Sequence, residues 1–241
     1  MKYGYRLADF CENLLFPRRC PVCGEIVEAA EDLICPECIH KLKPVQQPTC
    51  RKCGKEVFSE QEEYCMDCSR HRRSFESGVA VFHYNEAARR SMAAIKYKNK
   101  REYLDFYASA MAYRYRKTVE HWHAEVLIPV PVHPSRRRQR GFNQAEELAR
   151  RLSRHWGIPV ESRFLLRSRK TVPQRDLNPQ ERLRNLQEAF AVDRSIPVPR
   201  SVILVDDIYT TGSTIEACTR VLKAAGVQEV HFAAICIGGG R

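Results

Sequence analysis

Val202-Ile203-Leu204-Val205-Asp206-Asp207-Ile208-Tyr209-Thr210-Thr211-Gly212-Ser213-Thr214 sets two carboxylates at the end of an apolar run, then adds small hydroxyl residues and a glycine. Adjacent carboxylates can accept hydrogen bonds from the vicinal hydroxyls of a ribose. Backbone N–H groups of Thr210, Thr211, Gly212, Ser213 and Thr214, backed by the positive end of a following helix, can hold a phosphate dianion. An Asp-Asp pair ending a strand, or a threonine capping a helix, is common on its own. Their combination in one strand-to-helix connection points to a sugar phosphate.

The second chemistry is metal binding. Eight of the eleven cysteines form four Cys-x-x-Cys pairs, Cys20/Cys23, Cys35/Cys38, Cys50/Cys53 and Cys65/Cys68, at a constant interval. The segment opening at Cys20 resembles the one opening at Cys50, each with a glycine (Gly24, Gly54) after its second cysteine, so the region reads as an internal duplication. Those glycines suit tight knuckles with positive φ. Two such pairs complete a closed tetrahedral site of four thiolates, so we expect two structural Zn2+ ions with no position open for substrate. The duplication favours sequential sets, Cys20/Cys23/Cys35/Cys38 and Cys50/Cys53/Cys65/Cys68, with a cross-braced pairing as the alternative. Redox dithiols are the rival chemistry, but such motifs come singly beside a βαβ unit. Cys218 and Cys236 lie in apolar segments and read as buried packing residues. Cys11 falls in an amphipathic helix candidate, residues 6–16, with Leu7, Phe10, Leu14 and Leu15 on one side.

These residues need elements to position them. After Arg73 the composition changes, and residues 79–84 read as a strand. Asn85 caps a helix that reaches Lys96, and residues 102–122 form a longer helix with an apolar stripe. Residues 126–132 are a buried-type strand followed by a basic loop, and a helix runs from Asn143 to a stop at Gly157. Residues 164–166 read as a brief strand. A polar stretch then leads to a short helix opened by Asn178-Pro179-Gln180-Glu181. Residues 201–205 form an apolar strand, 214–225 a helix closed by Gly226, and 229–237 a last strand. Alternating strands and helices imply an α/β fold with a mostly parallel, doubly wound sheet, whose ligands sit at the C-terminal strand ends. We place the domain boundary between residues 1–74 and 75–241.

Lys and Arg outnumber Asp and Glu by 40 to 29 in the 241 residues, a net charge of +11 that favours polyanionic partners. Each basic block (Arg136, Arg137, Arg138, Arg140; Arg167, Arg169, Lys170, Arg175) also reads as a solvated face. No apolar run has signal-peptide or membrane-helix length, so we expect no membrane insertion and a cytoplasmic location.

The residues 202–214 resemble the phosphoribosyl-pyrophosphate (PRPP) signature of type I phosphoribosyltransferases, with Ser213 where glycine is frequent. The chain more widely resembles the ComF family of competence proteins: paired cysteines, then Ile95-Lys96-Tyr97-Lys98, Pro129-Val130-Pro131, Arg140-Gly141-Phe142-Asn143-Gln144, and Gln174 before Arg182 and Asn185. The resemblance implies a type I phosphoribosyltransferase-like domain behind a double zinc ribbon. It implies that Asp206 and Asp207 contact ribose as catalytic residues, and that Thr210 to Thr214 hold the 5′-phosphate. Ser135, Arg136 and Arg140 would lie near pyrophosphate with Lys96 also at the site, and Mg2+ would arrive with PRPP. Arg169 and Arg182, catalytic arginines, would belong to a hood spanning 169–182. It also implies a role in DNA uptake with single-stranded DNA and a competence helicase as partners. The alternatives are an active transferase moving ribose 5-phosphate to a base or amine, and a PRPP sensor without turnover. Tyr97, Phe142 and Tyr209 are candidates for stacking on a base, though aromatics in such positions are more often core.

Overall fold

The computed structural model describes residues 17–27, 32–167 and 188–239. The helix expected at residues 6–16, with Cys11, and the stretch 168–187 that holds Arg169, Gln174, the Asn178 helix start, Arg182 and Asn185 lie outside the described residues.

Two short helices, α1 (Pro36–Ile39) and α2 (Met66–Arg70), belong to the cysteine region. They are followed by β1 (Gly78–His83), α3 (Glu86–Lys98), α4 (Tyr103–Trp122), β2 (Val126–Pro129), α5 (Pro134–Arg140), α6 (Gln144–Trp156), β3 (Leu165–Arg167), β4 (Phe190–Val192), β5 (Ser201–Tyr209), α7 (Ser213–Ala224) and β6 (Glu229–Ile237). The main sheet is parallel throughout, in the order β1-β6-β5-β2. The expected α/β class therefore holds. No helix among the described residues is long and apolar enough to cross a membrane.

The central strands read as continuous apolar runs because both of their faces are covered. Side chains alternate between those faces. Ile203 and Val205 join Leu104, Tyr107, Met111, Leu148 and Leu152 in one cluster under α3, α4 and α6. Val202 and Leu204 join Phe75, Phe164, Ile215, Leu222 and Phe232 in the other, under α7. Local caps fix where the helices begin: the Asn85 side chain accepts from the Ala88 N–H at 2.9 Å, and Asn143 from Ala145 at 3.1 Å.

Three expectations change. The strand expected to end at Val205 continues through the twin aspartates to Tyr209, because β6 keeps pairing with it, Ile208 to Cys236 and Tyr209 to Ile237. On its other side β5 pairs with β2 only as far as Val205, leaving its last residues open there among the described residues. The basic loop after Val132 is largely helix α5: Pro134 opens it, with the His133 side chain accepting from the Ser135 N–H, and Gly141 closes it at φ 80°. The brief strand expected at 164–166 is β3, one residue later, and pairs antiparallel with β4.

The cysteine region is fastened to the sheet. Residues 43–45 run antiparallel along β1, with Val45 N–H donating to Val81 (2.9 Å) and His83 N–H to Lys43 (2.8 Å). This covers an edge that would otherwise present unpaired backbone groups.

Candidate functional site

Period-two geometry sends the two carboxylates of β5 to opposite faces of the sheet. Asp207 points toward α3 and α6. There it pairs with the Lys96 ammonium and accepts from Gln144 Nε2 at 3.2 Å. Burial alone would lower the pKa of Lys96, but the adjacent Asp207 charge outweighs it and holds the ammonium above its ordinary value. Asp206 follows the parity of Val202 and Leu204 toward the α7 side. Burial, reinforced by repulsion from Asp207, raises its carboxyl well above the usual range, although the Asp207 N–H donates to its Oδ1 at 2.8 Å. The twin aspartates are thus one anchored carboxylate and one held toward its protonated form.

Beyond them the chain turns over Tyr209, whose ring stacks on Phe232 with centroids 4.6 Å apart and meets the edge of Phe75. Gly212 takes φ 75° as the residue before α7. A Cβ there would lie 2.3 Å from the Tyr209 Oη, so the turn requires glycine. No side chain at Gly212 caps the helix. Thr211 Oγ1 lies 2.9 Å from Ser213 Oγ and accepts weakly from the Ser213 N–H at 3.4 Å. Thr210 and Thr211 are exposed, Ser213 and Thr214 half-buried. A loop of this kind can receive an anion at the helix mouth. It is held from outside: Arg73 Nη2 donates to the Thr211 carbonyl at 2.9 Å, and Ser74 donates to Glu216 through its N–H (2.9 Å) and hydroxyl (2.8 Å).

On the α5 side, Ser135 Oγ sits 2.8 Å from His133 Nδ1 and Arg136 is exposed. Arg140 is tied inward, donating to Gln144 Oε1 at 3.1 Å and to Tyr97 Oη at 3.3 Å. Gln144 thus bridges Arg140 to Asp207, and the structure brings Lys96, Arg140, Asp207 and Tyr97 into one connected group. Of the three aromatic candidates, Phe142 (4 % exposed) and Tyr209 (2 %) are core, and Tyr97 is 69 % exposed.

Two residues of this site carry no site role in the sequence reading. Gln144 stands there only as the last residue of the Arg140–Gln144 motif, although it is a polar first residue on a helix whose next residue, Ala145, is fully buried. Arg167 was visible only as one charge in a basic block. It ends β3 with its guanidinium 5.2 Å from the Phe190 ring, and burial, with Arg136 nearby, lowers its pKa. Its pairing strand lies far downstream, so no local pattern marked it.

The cysteines form two separate clusters, Cys20/Cys23/Cys35/Cys38 and Cys50/Cys53/Cys65/Cys68, with all four sulfurs of each within 4.8 Å. The sequential sets are therefore the real ones, and the cross-braced alternative is overturned. Gly24 and Gly54 take φ 84° and 74° as expected. Metal–sulfur bonds of about 2.3 Å in a tetrahedron put sulfurs about 3.8 Å apart. The Cys23–Cys35 and Cys53–Cys65 separations are 3.8 and 3.5 Å. Four thiolates at that spacing fit structural zinc.

Comparison with known sequences finds two family models that match the chain. A family described as double zinc ribbon domain matches residues 11–69, and one described as phosphoribosyl transferase domain matches residues 138–241. "Competence protein F" of Haemophilus influenzae is 33 % identical over 164 residues, covering 66 % of this chain and 71 % of that protein. "Competence protein ComFC" of Streptococcus pneumoniae is 29 % identical over 63 % of this chain and 64 % of its own. "DNA utilization protein YhgH" of Escherichia coli K12 is 35 % identical, and the match spans 48 % of that protein and 46 % of this chain.

Proposed function

The chain belongs to the ComF family, and from that premise we propose that the crevice at the end of β5 binds the 5′-phosphoribosyl group of PRPP or a nucleotide, in a protein serving DNA uptake. One observation carries this reading. The β5 strand brings Asp206 and Asp207 to an end open on one side, then turns through a glycine that admits no side chain into a helix without a side-chain cap at Gly212.

In this reading the amides and hydroxyls of Thr210, Thr211, Gly212, Ser213 and Thr214 hold the 5′-phosphate. Asp206 and Asp207 hold the ribose hydroxyls, and Lys96 orients Asp207. Ser135, Arg136 and Arg140 face the pyrophosphate, with Arg169 and Arg182 assigned to a covering segment. Mg2+, carried in with PRPP, would supply charge neutralisation to the pyrophosphate. Arginines suit that group because a planar guanidinium meets phosphate oxygens in pairs. The basic surface serves single-stranded DNA, and a competence helicase is the partner assigned by family.

Calorimetry tests the site. PRPP with Mg2+ should bind the zinc-loaded protein, and Asp206→Ala with Asp207→Ala should abolish binding; unchanged affinity in the double variant rejects the assignment. Binding of a single strand should weaken steeply with salt. Incubation of PRPP, Mg2+ and a panel of bases separates the two roles. Pyrophosphate release tied to one base means transfer; binding without release means a binding protein.

A further inference from the structure

We infer that Tyr97 and Arg140 form a stacking platform for an unpaired nucleobase, placed so that the base belongs to, or lies next to, the phosphoribosyl group held at the end of β5. The inference rests on the proposed crevice and names what stands beside it.

Tyr97 lies near the end of α3, immediately after Lys96, whose side chain turns into the crevice toward Asp207. Its own ring points out and is 69 % exposed. The Arg140 guanidinium lies 5.1 Å from the ring centroid and also donates to the Tyr97 Oη. That same guanidinium reaches Gln144, and Gln144 reaches Asp207. The ring is therefore registered to the strand end by two routes, Lys96 along the chain and Arg140–Gln144 through space. Stacking against a guanidinium orders the aromatic face, so a base meets a surface already fixed.

Other cation–ring pairs in the described residues differ in one respect. The rings under Lys52, Arg101, Arg114 and Arg167 (Phe75, Phe142, Tyr115 and Phe190) are buried and serve the core. Tyr113 and Phe58 are more exposed than Tyr97, but no cation over either ring is seen among the described residues. There, Tyr97 alone combines an open ring, a guanidinium and a link to the twin-aspartate strand. Lys98, next in chain to Tyr97 on α3, and Arg136 and Arg138, on α5 with Arg140, are exposed and suit the phosphates that flank a base.

Two sources could supply the base, a free nucleotide or a single strand, and the test separates them. Affinities of the zinc-loaded full chain are measured for PRPP, thymidine 5′-monophosphate, an oligo-dT strand and an abasic strand of equal length, with wild type, Tyr97→Ala and Tyr97→Phe. We expect Tyr97→Ala to weaken a base-bearing ligand about tenfold relative to Tyr97→Phe, which keeps the ring, while PRPP and the abasic strand do not distinguish the two variants, both of which lose the hydroxyl bonded to Arg140. Loss for both thymine ligands marks the base of the molecule in the crevice; loss for oligo-dT alone marks a neighbouring base of a strand. Equal loss for the abasic strand, no loss for either thymine ligand, or wild type that binds neither thymine ligand overturns the platform. Wild type that ignores PRPP but shows Tyr97-dependent oligo-dT binding removes the crevice reading and keeps the platform. Unaltered zinc content and melting temperature in Tyr97→Ala exclude misfolding as the cause.

Discussion

Residue for residue, Cys20, Gly24 and Val27 of the first ribbon answer to Cys50, Gly54 and Val57 of the second. Even the backbone bonds repeat, Cys20 N–H to Glu25 at 2.8 Å and Cys50 N–H to Lys55 at 2.7 Å. Their surroundings differ. The first centre has a small buried cluster, Cys20, Val27 and Cys38, with Cys23 exposed, and meets the domain core through the half-buried Val22 and Ile34. The second is continuous with the domain core: Cys50, Cys53 and Cys65 pack in one cluster with Phe75, Tyr209 and Phe232. It also carries a nearly buried Lys55 paired with Asp67 at 2.6 Å, where the first copy has Glu25 and Glu37. Past its last cysteine, Arg73 and Ser74 reach the phosphate-type loop and the start of α7. A duplicated metal module has thus diverged into an outer copy and one built into the nucleotide-type domain.

The comparison can be broken most severely at the ligands. Structural zinc contributes roughly 10 kcal/mol to folding in small modules, as much as the whole stability of many domains. Cys53→Ser should therefore prevent stable folding of the domain, whereas Cys23→Ser should halve the zinc content and leave a cooperative melt and unchanged PRPP affinity. Equal damage from both, by metal analysis and calorimetry, would erase the distinction.

A smaller effect sharpens it. Asp67→Ala leaves the almost buried Lys55 without its partner, and should cost about 2 kcal/mol, discounted because Asp67 itself is half exposed. Glu37→Ala, at the matching position, should cost less than about 0.5 kcal/mol, as ordinary surface changes do. Denaturant midpoints measure both. Below Asp67→Ala in size is Arg73→Ala, which removes one hydrogen bond to the Thr211 carbonyl, worth about 1 kcal/mol. It should weaken a phosphoribosyl ligand roughly fivefold, with two equivalents of zinc retained. An unchanged affinity would mean that the strap from the second ribbon does not position the loop.

The parts of the molecule legible in the sequence are those whose chemistry is local. Each Cys-x-x-Cys-Gly knuckle contains its own geometry, and duplication pointed to the correct pairing of pairs. The β5–loop–α7 connection is contiguous, so an apolar run, two acids and a glycine sufficed to place it. What was not legible depends on partners far apart in the chain. Nothing near Arg167 announces β4, and nothing near Tyr209 announces that Phe75 and Phe232 enclose its ring. Helix α5 is a different case: His133-Pro134 and Gly141 are start and stop signals, but the charged run between them offers no apolar stripe, and it read as a loop. The opposed directions of Asp206 and Asp207 follow from extending the strand past Val205, which only the β6 pairing reveals.

The central claim is that the amides at the mouth of α7 grip the phosphate of a phosphorylated ribose. Backbone amide NMR of the zinc-loaded protein titrated with ribose 5-phosphate tests it directly. The account predicts saturable shifts concentrated at residues 210–214 and lost in Gly212→Ala, whose Cβ would collide with Tyr209. Shifts confined to the arginines of α5, or undiminished in Gly212→Ala, would contradict it.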